Sequence, residues 1–472
     1  MESNIEDFAD KAISHALALK CHYCDVRAEI ITKEGLVIEN GQIEHTVSMF
    51  DRGLGIRVLD DGAWGFFSVS NPSSIAEIIA ATDAAVSSAR YYTKKQKIRL
   101  ASVPTIKDKI VFPVRKEPDI EELAKIGFDC DKIIHEKKRI IKSSVSMGYS
   151  KTKKYFASSE GSKITQEYTD VVSELSATAH ESGLTQSVDS TEGGRGGIEK
   201  LSDEKDIFNT AKFVSEMSSN LIDAKPASEE KATVVMNPDF VALLTHEILG
   251  HPSEADRVLG KEMAWAGGAW WAGNIGKQIG SQNLDVFDDP TISGSLGWYG
   301  YDDEGVKSSK TSLIENGVLV NHMQNRETAE IFNTKSSANM RATSYKFMPL
   351  IRMACTCIGK GDWNPQEMIR DVKSGYLVSN MKVPSIDMKR YNWSISCQFA
   401  QKIENGELTD LLRDVIVIGT APDFFKSIDA CGKDFTVRPI TNCGKGDPMQ
   451  SMIMGNGGPT IRAVATVKSV KS

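Results

Sequence analysis

Asn237-Pro-Asp-Phe-Val-Ala-Leu-Leu-Thr-His-Glu-Ile-Leu-Gly-His251 is the stretch around which this chain is organised. It begins with helix-start signals, because asparagine is a favoured N-cap and proline suits the first helical position. Apolar side chains recur at intervals of three and four residues, at Phe240, Val241, Leu244 and Ile248. This periodicity predicts a short helix that buries one face in a core.

The same stretch carries His246, Glu247 and His251. Two imidazoles beside a carboxylate are the ingredients of a hydrolytic metal site. The common H-E-x-x-H pattern places its histidines four residues apart, on one helical face. Here they are five residues apart, so an ideal helix would turn them about 140° away from each other.

The residues that flank His251 offer a way around this spacing. Gly250 weakens the helix, and Pro252 disfavours a helical conformation at His251. We therefore expect His246 and Glu247 in the last helical turn and His251 on the bend that leaves it. A local π-type bulge, which is frequent at functional sites, would serve equally well. From this stretch alone, the alternative that the histidines are packing residues stays open.

Composition limits the possible functions. The chain of 472 residues has a net charge of -7, which argues against a nucleic-acid partner. It contains no apolar run close to the ~20 residues that span a bilayer, so no membrane segment is expected. The acidic N-terminus does not resemble a signal peptide. Eight scattered cysteines then indicate reduced thiols and a cytoplasmic protein.

Alternating apolar segments joined by turn signals predict hairpins in both halves of the chain. The turns lie at Asn40-Gly41, Asp60-Asp-Gly62, Ile314-Glu-Asn-Gly317 and Ile403-Glu-Asn-Gly406. Helical periodicity is found at residues 5–20, 71–88, 118–138 and 204–223. The predicted fold is α+β and β-rich, with antiparallel hairpins and flanking helices. We expect two domains, an N-terminal α+β domain of residues 1–225 and a C-terminal β-rich domain of residues 226–472 that carries the metal site.

Two other motifs are interpreted as structural. Cys21-His-Tyr-Cys24 has no second ligand pair of similar spacing, and it precedes a strand, so packing explains it better than zinc or redox chemistry. Glu192-Gly-Gly-Arg-Gly-Gly197 lacks the lysine of a phosphate loop and the setting of a dinucleotide site. We expect it to be a flexible loop.

A catalytic zinc site usually has three protein ligands and one open position. The candidates for the third ligand are Glu254, Asp256, His322, Cys431 and Cys443. Both cysteines stand in a Cys-Gly-Lys context, so local sequence does not choose between them.

Trp265, Trp270 and Trp271 lie in a segment rich in glycine and alanine, with few charges. Such rings belong either to the core or to a loop that grips an extended peptide. We predict the second role, substrate binding.

An ordered set of motifs resembles the TldD branch of the TldD/PmbA metallopeptidases. The set comprises Asp51-Arg-Gly-Leu-Gly-Ile-Arg-Val-Leu59, Gly62-Ala-Trp-Gly65, His246-Glu247-x3-His251 with Glu254 and Asp256, Ile314-Glu-Asn-Gly317, Cys443-Gly-Lys-Gly and Gly457-Gly-Pro-Thr460. The likeness spans nearly the whole chain.

The resemblance implies that His246, His251 and Cys443 hold zinc and that Cys431 is a packing or secondary thiol. Glu247 would be the general base that takes a proton from water and passes it to the leaving amine. Glu254 or Asp256 would orient a ligand imidazole.

The function that the resemblance implies is a zinc metallopeptidase acting on peptides or unfolded protein segments. It also implies a dimer, formed either with a second copy or with a TldE/PmbA-like subunit. The alternative is a non-catalytic regulatory or binding protein with a structural zinc, in line with the family's description as modulators of DNA gyrase.

Overall fold

The computed structural model describes residues 5–91, 97–262 and 267–470. Mainly antiparallel sheets flanked by helices make up the protein, which confirms the predicted α+β, β-rich fold class. Within the described ranges, no helix combines the length and apolar character that crossing a membrane requires.

The first part of the chain forms a single sheet with helices packed on it. Its elements are α1 (Ile5–Ala18), β1 (Tyr23–Glu39), β2 (Gln42–Asp60), β3 (Ala63–Ser70), α2 (Ile75–Tyr91), β4 (Lys107–Val111), α3 (Ile120–Ile134), β5 (Ile140–Ser158), β6 (Lys163–Glu181), β7 (Leu184–Arg195), α4 (Glu199–Ser202) and α5 (Ile207–Leu221). The strand order is β3-β2-β1-β5-β6, and β4 and β7 both pair with β6. Helices α1 and α2 share one apolar cluster with the sheet, while α3 and α5 share another.

The predicted tight turns are confirmed. Asn40 and Gly41 have φ angles of 48° and 78° between β1 and β2, and Asp61 and Gly62 have φ angles of 46° and 77° between β2 and β3. Positive φ at both central positions is the signature of a type I′ hairpin turn.

The expectation of a flexible loop at residues 192–197 is wrong for most of that segment. Strand β7 continues to Arg195, and its glycines allow close backbone packing. A Cβ atom on Gly193 would lie 2.2 Å from the carbonyl oxygen of Val171, and one on Gly194 would lie 2.3 Å from that of Gly294. Glycine is therefore required here by contact with neighbouring backbone.

The second part of the chain begins at β8. Its elements are β8 (Lys225–Pro226), β9 (Glu230–Met236), α6 (Pro238–Leu244), a π-helical turn (Thr245–Gly250), α7 (His251–Ser253), α8 (Ala255–Val258), β10 (Val286–Asp288), β11 (Thr311–Glu315), β12 (Val318–Leu319), α9 (Arg326–Phe332), β13 (Met340–Arg341), β14 (Leu350–Ile351), β15 (Cys355–Ile358), α10 (Pro365–Arg370), β16 (Ser374–Ile386), β17 (Asn392–Glu404), β18 (Glu407–Arg413), β19 (Val415–Thr420), α11 (Ala421–Lys426), β20 (Ala430–Cys431), β21 (Thr436–Lys445), β22 (Gln450–Gly458) and β23 (Ile461–Ser469).

Two larger sheets enclose α6. In one, the strands β16-β9-β23-β19-β17 close into a ring, because β17 also pairs with β16. The other has the order β12-β11-β10-β15-β22-β21. Helix α6 contacts β16 of the ring and β22 of the second sheet, and all its side chains from Asp239 to Leu244 are buried. The π-helical turn that follows α6 contacts β15 and β22 of the second sheet.

The first sheet uses residues 23–195, and the other larger sheets use residues 225–469. We propose the division into domains of residues 1–225 and 226–472 on this basis.

Candidate metal centre

The helix that carries the motif changes its hydrogen-bonding pattern at the motif itself. Asn237 caps α6, since its side chain accepts a 3.0 Å bond from the N–H of Phe240. From Thr245 onward the backbone is π-helical, and the N–H of His251 donates to the carbonyl of His246. Residues five apart are thus brought onto one face. His251 is helical, with φ -57° and ψ -42°, so the π-type alternative is right and the exit-bend alternative is wrong.

Pro252 is accommodated in this turn by two tryptophans. A proline at this position has no N–H to donate to the carbonyl of Ile248, and the indole of Trp270 donates to that carbonyl at 3.1 Å. The indole of Trp271 donates to the carbonyl of Pro252 itself at 2.8 Å. These bonds satisfy buried carbonyls that the interrupted helix leaves free.

Three potential ligands converge beside this turn. His246, His251 and Cys443 each offer one atom, and these atoms lie within 4.8 Å of one another. The Sγ atom of Cys443 is 3.7 Å from Nε2 of His251, and the two imidazole rings are 4.8 Å apart between centroids. All three residues are 3% exposed.

Neighbouring side chains orient both imidazoles. Nδ1 of His246 lies 2.9 Å from Oδ1 of Asn456, whose amide nitrogen donates to the carbonyl of Thr356 at 3.1 Å. With its amide so fixed, Asn456 accepts the Nδ1 proton of His246. Nδ1 of His251 lies 3.1 Å from Oε2 of Glu254. In both rings Nε2 is therefore left to face the cluster.

The thiol of the cluster comes from the hairpin of β21 and β22. Arg352 is fully buried and donates to the backbone carbonyls of Cys443 and Gln450, one on each strand. Cys431, which has nearly the same local sequence, lies in β20 with its thiol 3.3 Å from the carbonyl of Asn283. The cluster contains Cys443 and not Cys431.

The cluster favours the ionised form of its thiol. Burial alone would raise the pKa of Cys443, but the adjacent His246 and His251 hold it well below its usual value. Burial alone would lower the pKa of His246, but the neighbouring Cys443 raises it to about 9. The imidazoles thus favour the thiolate form of Cys443, and Cys443 favours the protonated form of His246.

The two acidic residues after the motif differ in their contacts. Glu254 is buried and contacts His251, Arg257 at 2.7 Å and Lys445 at 3.2 Å. Burial would raise the pKa of Glu254, but Lys445, His251 and Arg257 hold it well below its usual range. Asp256 contacts Lys445 at 2.8 Å and no imidazole. Of the two, Glu254 is the residue in place to orient a ligand.

Glu247 is the most accessible member of the motif. Its side chain is 16% exposed and points to the rim of the cluster, where Oε2 accepts a hydrogen bond from Arg390. Burial would raise the pKa of Glu247, but His246, His251 and Arg390 together lower it. The lowered pKa keeps Glu247 ionised, which is the state in which a carboxylate beside the cluster can accept a proton from water.

Comparison with known proteins finds one family along most of the chain. Residues 229–467 match the PmbA/TldA metallopeptidase C-terminal domain, residues 24–89 match that family's domain 1, and residues 115–222 match its central domain. The chain belongs to the PmbA/TldD metallopeptidase family. This confirms the resemblance drawn from the sequence motifs.

Several relatives in the PmbA/TldD family are named for proteolysis. A metalloprotease of Methanocaldococcus jannaschii is 34% identical, over 94% of this chain and 96% of its own. A zinc metalloprotease TldD homolog of Saccharolobus solfataricus is 27% identical, over 96% and 97%. Among solved structures, TldE from Thermococcus kodakarensis has a TM-score of 0.77 at 17% identity, covering 98% of this chain and 99% of its own. This last likeness shows a shared fold.

The structure describes three further residues that were candidates for the site, namely Trp270, Trp271 and His322. Trp271 is fully buried, a placement that does not suit contact with substrate, and we assign it to the core. Trp270 is partly buried and stacks on Phe425, with centroids 6.4 Å apart. Trp265 lies outside the described residues. His322 is buried beside Phe332, and among the described residues its ring nitrogens have no partner; it is not part of the cluster.

The sequence analysis did not predict three residues that contact the motif, namely Asn456, Lys445 and Arg390. Each lies more than 130 positions from the motif residue that it contacts. Lys445 had one available signal, since it stands two positions after the cysteine. Asn456 and Arg390 carry no local signature.

Proposed function

We propose that this protein is a zinc-dependent metallopeptidase that hydrolyses peptide bonds in peptides or unfolded protein segments. The observation that carries the proposal is the convergence of His246, His251 and Cys443 beside the rim carboxylate Glu247. The metalloprotease names of several relatives support the same reaction class.

The donor set suits zinc. Zinc binds imidazole nitrogen at ~2.0–2.1 Å and thiolate at ~2.3 Å, so tetrahedral neighbours of these kinds lie roughly 3.3–3.6 Å apart. The 3.7 Å between Cys443 and His251 is close to this separation. The cluster among the described residues offers three candidate ligands, the number typical of catalytic sites, whereas structural zinc sites have four. This favours catalysis over the alternative of a binding protein with structural zinc.

When bound, zinc would polarise the scissile carbonyl and lower the pKa of water. The chain's own residues would do the remainder. Glu247 takes a proton from the attacking water and delivers it to the leaving amine. Glu254 and Asn456 each hold an imidazole at Nδ1, which would leave Nε2 available to bind the ion.

Assembly and location remain predictions. We propose a dimer, either with a second copy or with a TldE-like subunit, and a cytoplasmic site of action. The fold shared with TldE is compatible with either form of dimer.

The proposed function is tested by three variants assayed for zinc content and for digestion of casein or a peptide library. Glu247→Gln should retain zinc and lose hydrolysis, because only the proton acceptor is removed. Cys443→Ser should lose both zinc and hydrolysis. Cys431→Ser is the matched control, since it changes a buried thiol with the same local sequence outside the cluster, and it should retain both.

Normal turnover by Glu247→Gln would contradict the proposed mechanism. A wild-type protein that binds zinc and cleaves no substrate would favour the structural-zinc alternative.

A further inference from the structure

Arg390 reaches the rim of the metal centre from a different part of the fold. It lies in the turn between β16 and β17, and its guanidinium donates to Oε2 of Glu247. Burial and the nearby Arg257 lower the pKa of Arg390 despite the attraction of Glu247. The guanidinium of Arg390 is thus mostly buried, and its loss of hydration has a cost in free energy.

The turn that carries Arg390 is built to hold an unusual conformation. Arg390 has a φ angle of 62°, in the left-handed region that a residue with a side chain adopts at a cost of roughly 1–2 kcal/mol. The carboxylate of Asp387 accepts hydrogen bonds from the backbone of Lys389, Tyr391 and Asn392, and the Arg390 N–H donates to the Asp387 carbonyl. Strain kept in place by such a network is characteristic of functional positions.

A second contact fixes the turn from the other side. The carbonyl of Met388 accepts a 2.8 Å hydrogen bond from the N–H of Gly268. A Cβ atom on Gly267 would lie 2.1 Å from that same carbonyl oxygen. The turn is therefore seated on the segment that also supplies Trp270 to the metal-binding helix.

Two other cations near the centre, among the residues that the structure describes, are bound to buried carboxylates. Lys445 is buried between Glu254, Asp256 and the carbonyl of Ile351. Arg257 is buried and bound to Glu254. Arg390, whose side chain is 15% exposed, lies at the accessible rim beside the proposed proton acceptor.

We propose that Arg390 is a catalytic residue that stabilises the oxyanion formed when water adds to the scissile carbonyl, an assignment that rests on the proposed function. In that step a bond forms between the water oxygen and the carbonyl carbon, and the carbonyl π pair moves to its oxygen. The water proton moves to Glu247. Negative charge passes from the carboxylate that Arg390 contacts to the substrate oxygen. The guanidinium of Arg390 then donates its hydrogen bond to the oxyanion instead of to Glu247.

The test compares Arg390→Ala, Arg390→Lys and Lys389→Ala as zinc-loaded proteins on one peptide substrate. Removing a single oxyanion donor typically lowers kcat by about 10²–10³-fold, so we expect a loss of this size in Arg390→Ala, with KM little changed and zinc content unchanged. Arg390→Lys should retain part of the rate. Lys389→Ala is the matched control: it removes the same charge from an exposed neighbour in the same turn, and its kcat should be that of wild type.

Two further readouts separate a catalytic role from a structural one. Guanidinium ion, added well below unfolding concentrations, should restore part of the kcat of Arg390→Ala and none of that of Glu247→Gln. A phosphinic peptide that mimics the tetrahedral intermediate should lose affinity for Arg390→Ala by about the same factor as kcat/KM, because such mimics report transition-state binding.

The possible failures are distinguishable. If wild type hydrolyses the peptide and Arg390→Ala has normal kcat with raised KM, Arg390 binds ground-state substrate and the assignment falls while the proposed function stands. An equal loss in Lys389→Ala would also overturn it, by showing an unspecific effect of charge. If zinc-loaded wild type cleaves nothing, the proposed function and the assignment fall together.

Discussion

Replacing Glu254 by glutamine is the most informative change around the metal centre. The variant keeps the volume of the side chain and removes the negative charge that contacts His251 at 3.1 Å, Arg257 at 2.7 Å and Lys445 at 3.2 Å. Glu254 is completely buried, so water does not screen these contacts. We expect both zinc affinity and stability to fall.

The magnitudes follow from the contacts. Loss of a partner that orients a metal-bound imidazole typically lowers metal affinity by ~10–100-fold, or about 1.4–2.8 kcal/mol. Breaking a buried ion pair costs ~3–5 kcal/mol of folding free energy. Because Lys445 keeps Asp256 at 2.8 Å in the variant, we expect the low end, about 3 kcal/mol.

Asp256→Asn is the control for the effect on zinc. It also removes a carboxylate from Lys445, but Asp256 contacts no imidazole. Chelator-competition titration should therefore give wild-type zinc affinity for Asp256→Asn, whereas chemical denaturation should show a stability loss of about 1–3 kcal/mol. Zinc binding by Glu254→Gln as tight as by wild type, or an equal loss of affinity in both variants, would refute the reasoning.

Three further outcomes are expected. In the zinc-free protein, thiolate absorbance should persist at pH 7, because the lowered pKa of Cys443 keeps its thiol ionised as the pH falls. This absorbance should be absent from Cys443→Ser. Removing Cys431, whose pKa is raised to about 12, should leave it unchanged. Trp271→Phe should lower the free energy of unfolding in urea by about 1–3 kcal/mol, because the carbonyl of Pro252 loses its indole donor. A changed KM for peptide would contradict the assignment of Trp271 to the core. Gly250→Ala should weaken zinc binding in titration and lower the free energy of unfolding by ~1–3 kcal/mol, because a Cβ there would lie 2.1 Å from Sδ of Met353. Unchanged values would show that Met353 moves aside freely.

Local turn chemistry made much of the fold predictable. A two-residue hairpin turn of type I′ requires positive φ angles at both positions, and few residue pairs accept them. Asn40-Gly41 and Asp61-Gly62 are such pairs, so those hairpins could be located from the sequence. The glycine-rich residues 192–195 were mispredicted for a related reason. Glycine permits both loops and close packing between strands, and only the opposing backbone at Val171 and Gly294 distinguishes the two.

The site was predictable as far as its chemistry is local. His246, Glu247 and His251 lie within one turn, and the need for a departure from ideal helical geometry followed from their spacing. Spacing did not choose between a bend and a π-helical turn. In the structure the indole of Trp270 donates to the carbonyl of Ile248, to which Pro252 has no N–H to donate. That contact is set by tertiary packing.

The distant partners could not be derived from spacing. Cys431 and Cys443 share a local sequence, and only the pairing of β21 with β22 brings Cys443 to the histidines. Arg390 reaches Glu247 because the β16–β17 turn is seated on Gly268. No periodicity or motif in the sequence encodes that approach.

The most direct test of the proposed zinc centre is an anomalous-difference map, recorded at the zinc absorption edge from crystals of zinc-loaded protein. We predict a peak coordinated by Nε2 of His246, Nε2 of His251 and Sγ of Cys443, with no fourth protein ligand. A peak at another position, or one closed by a fourth side chain, would contradict the proposed catalytic zinc site.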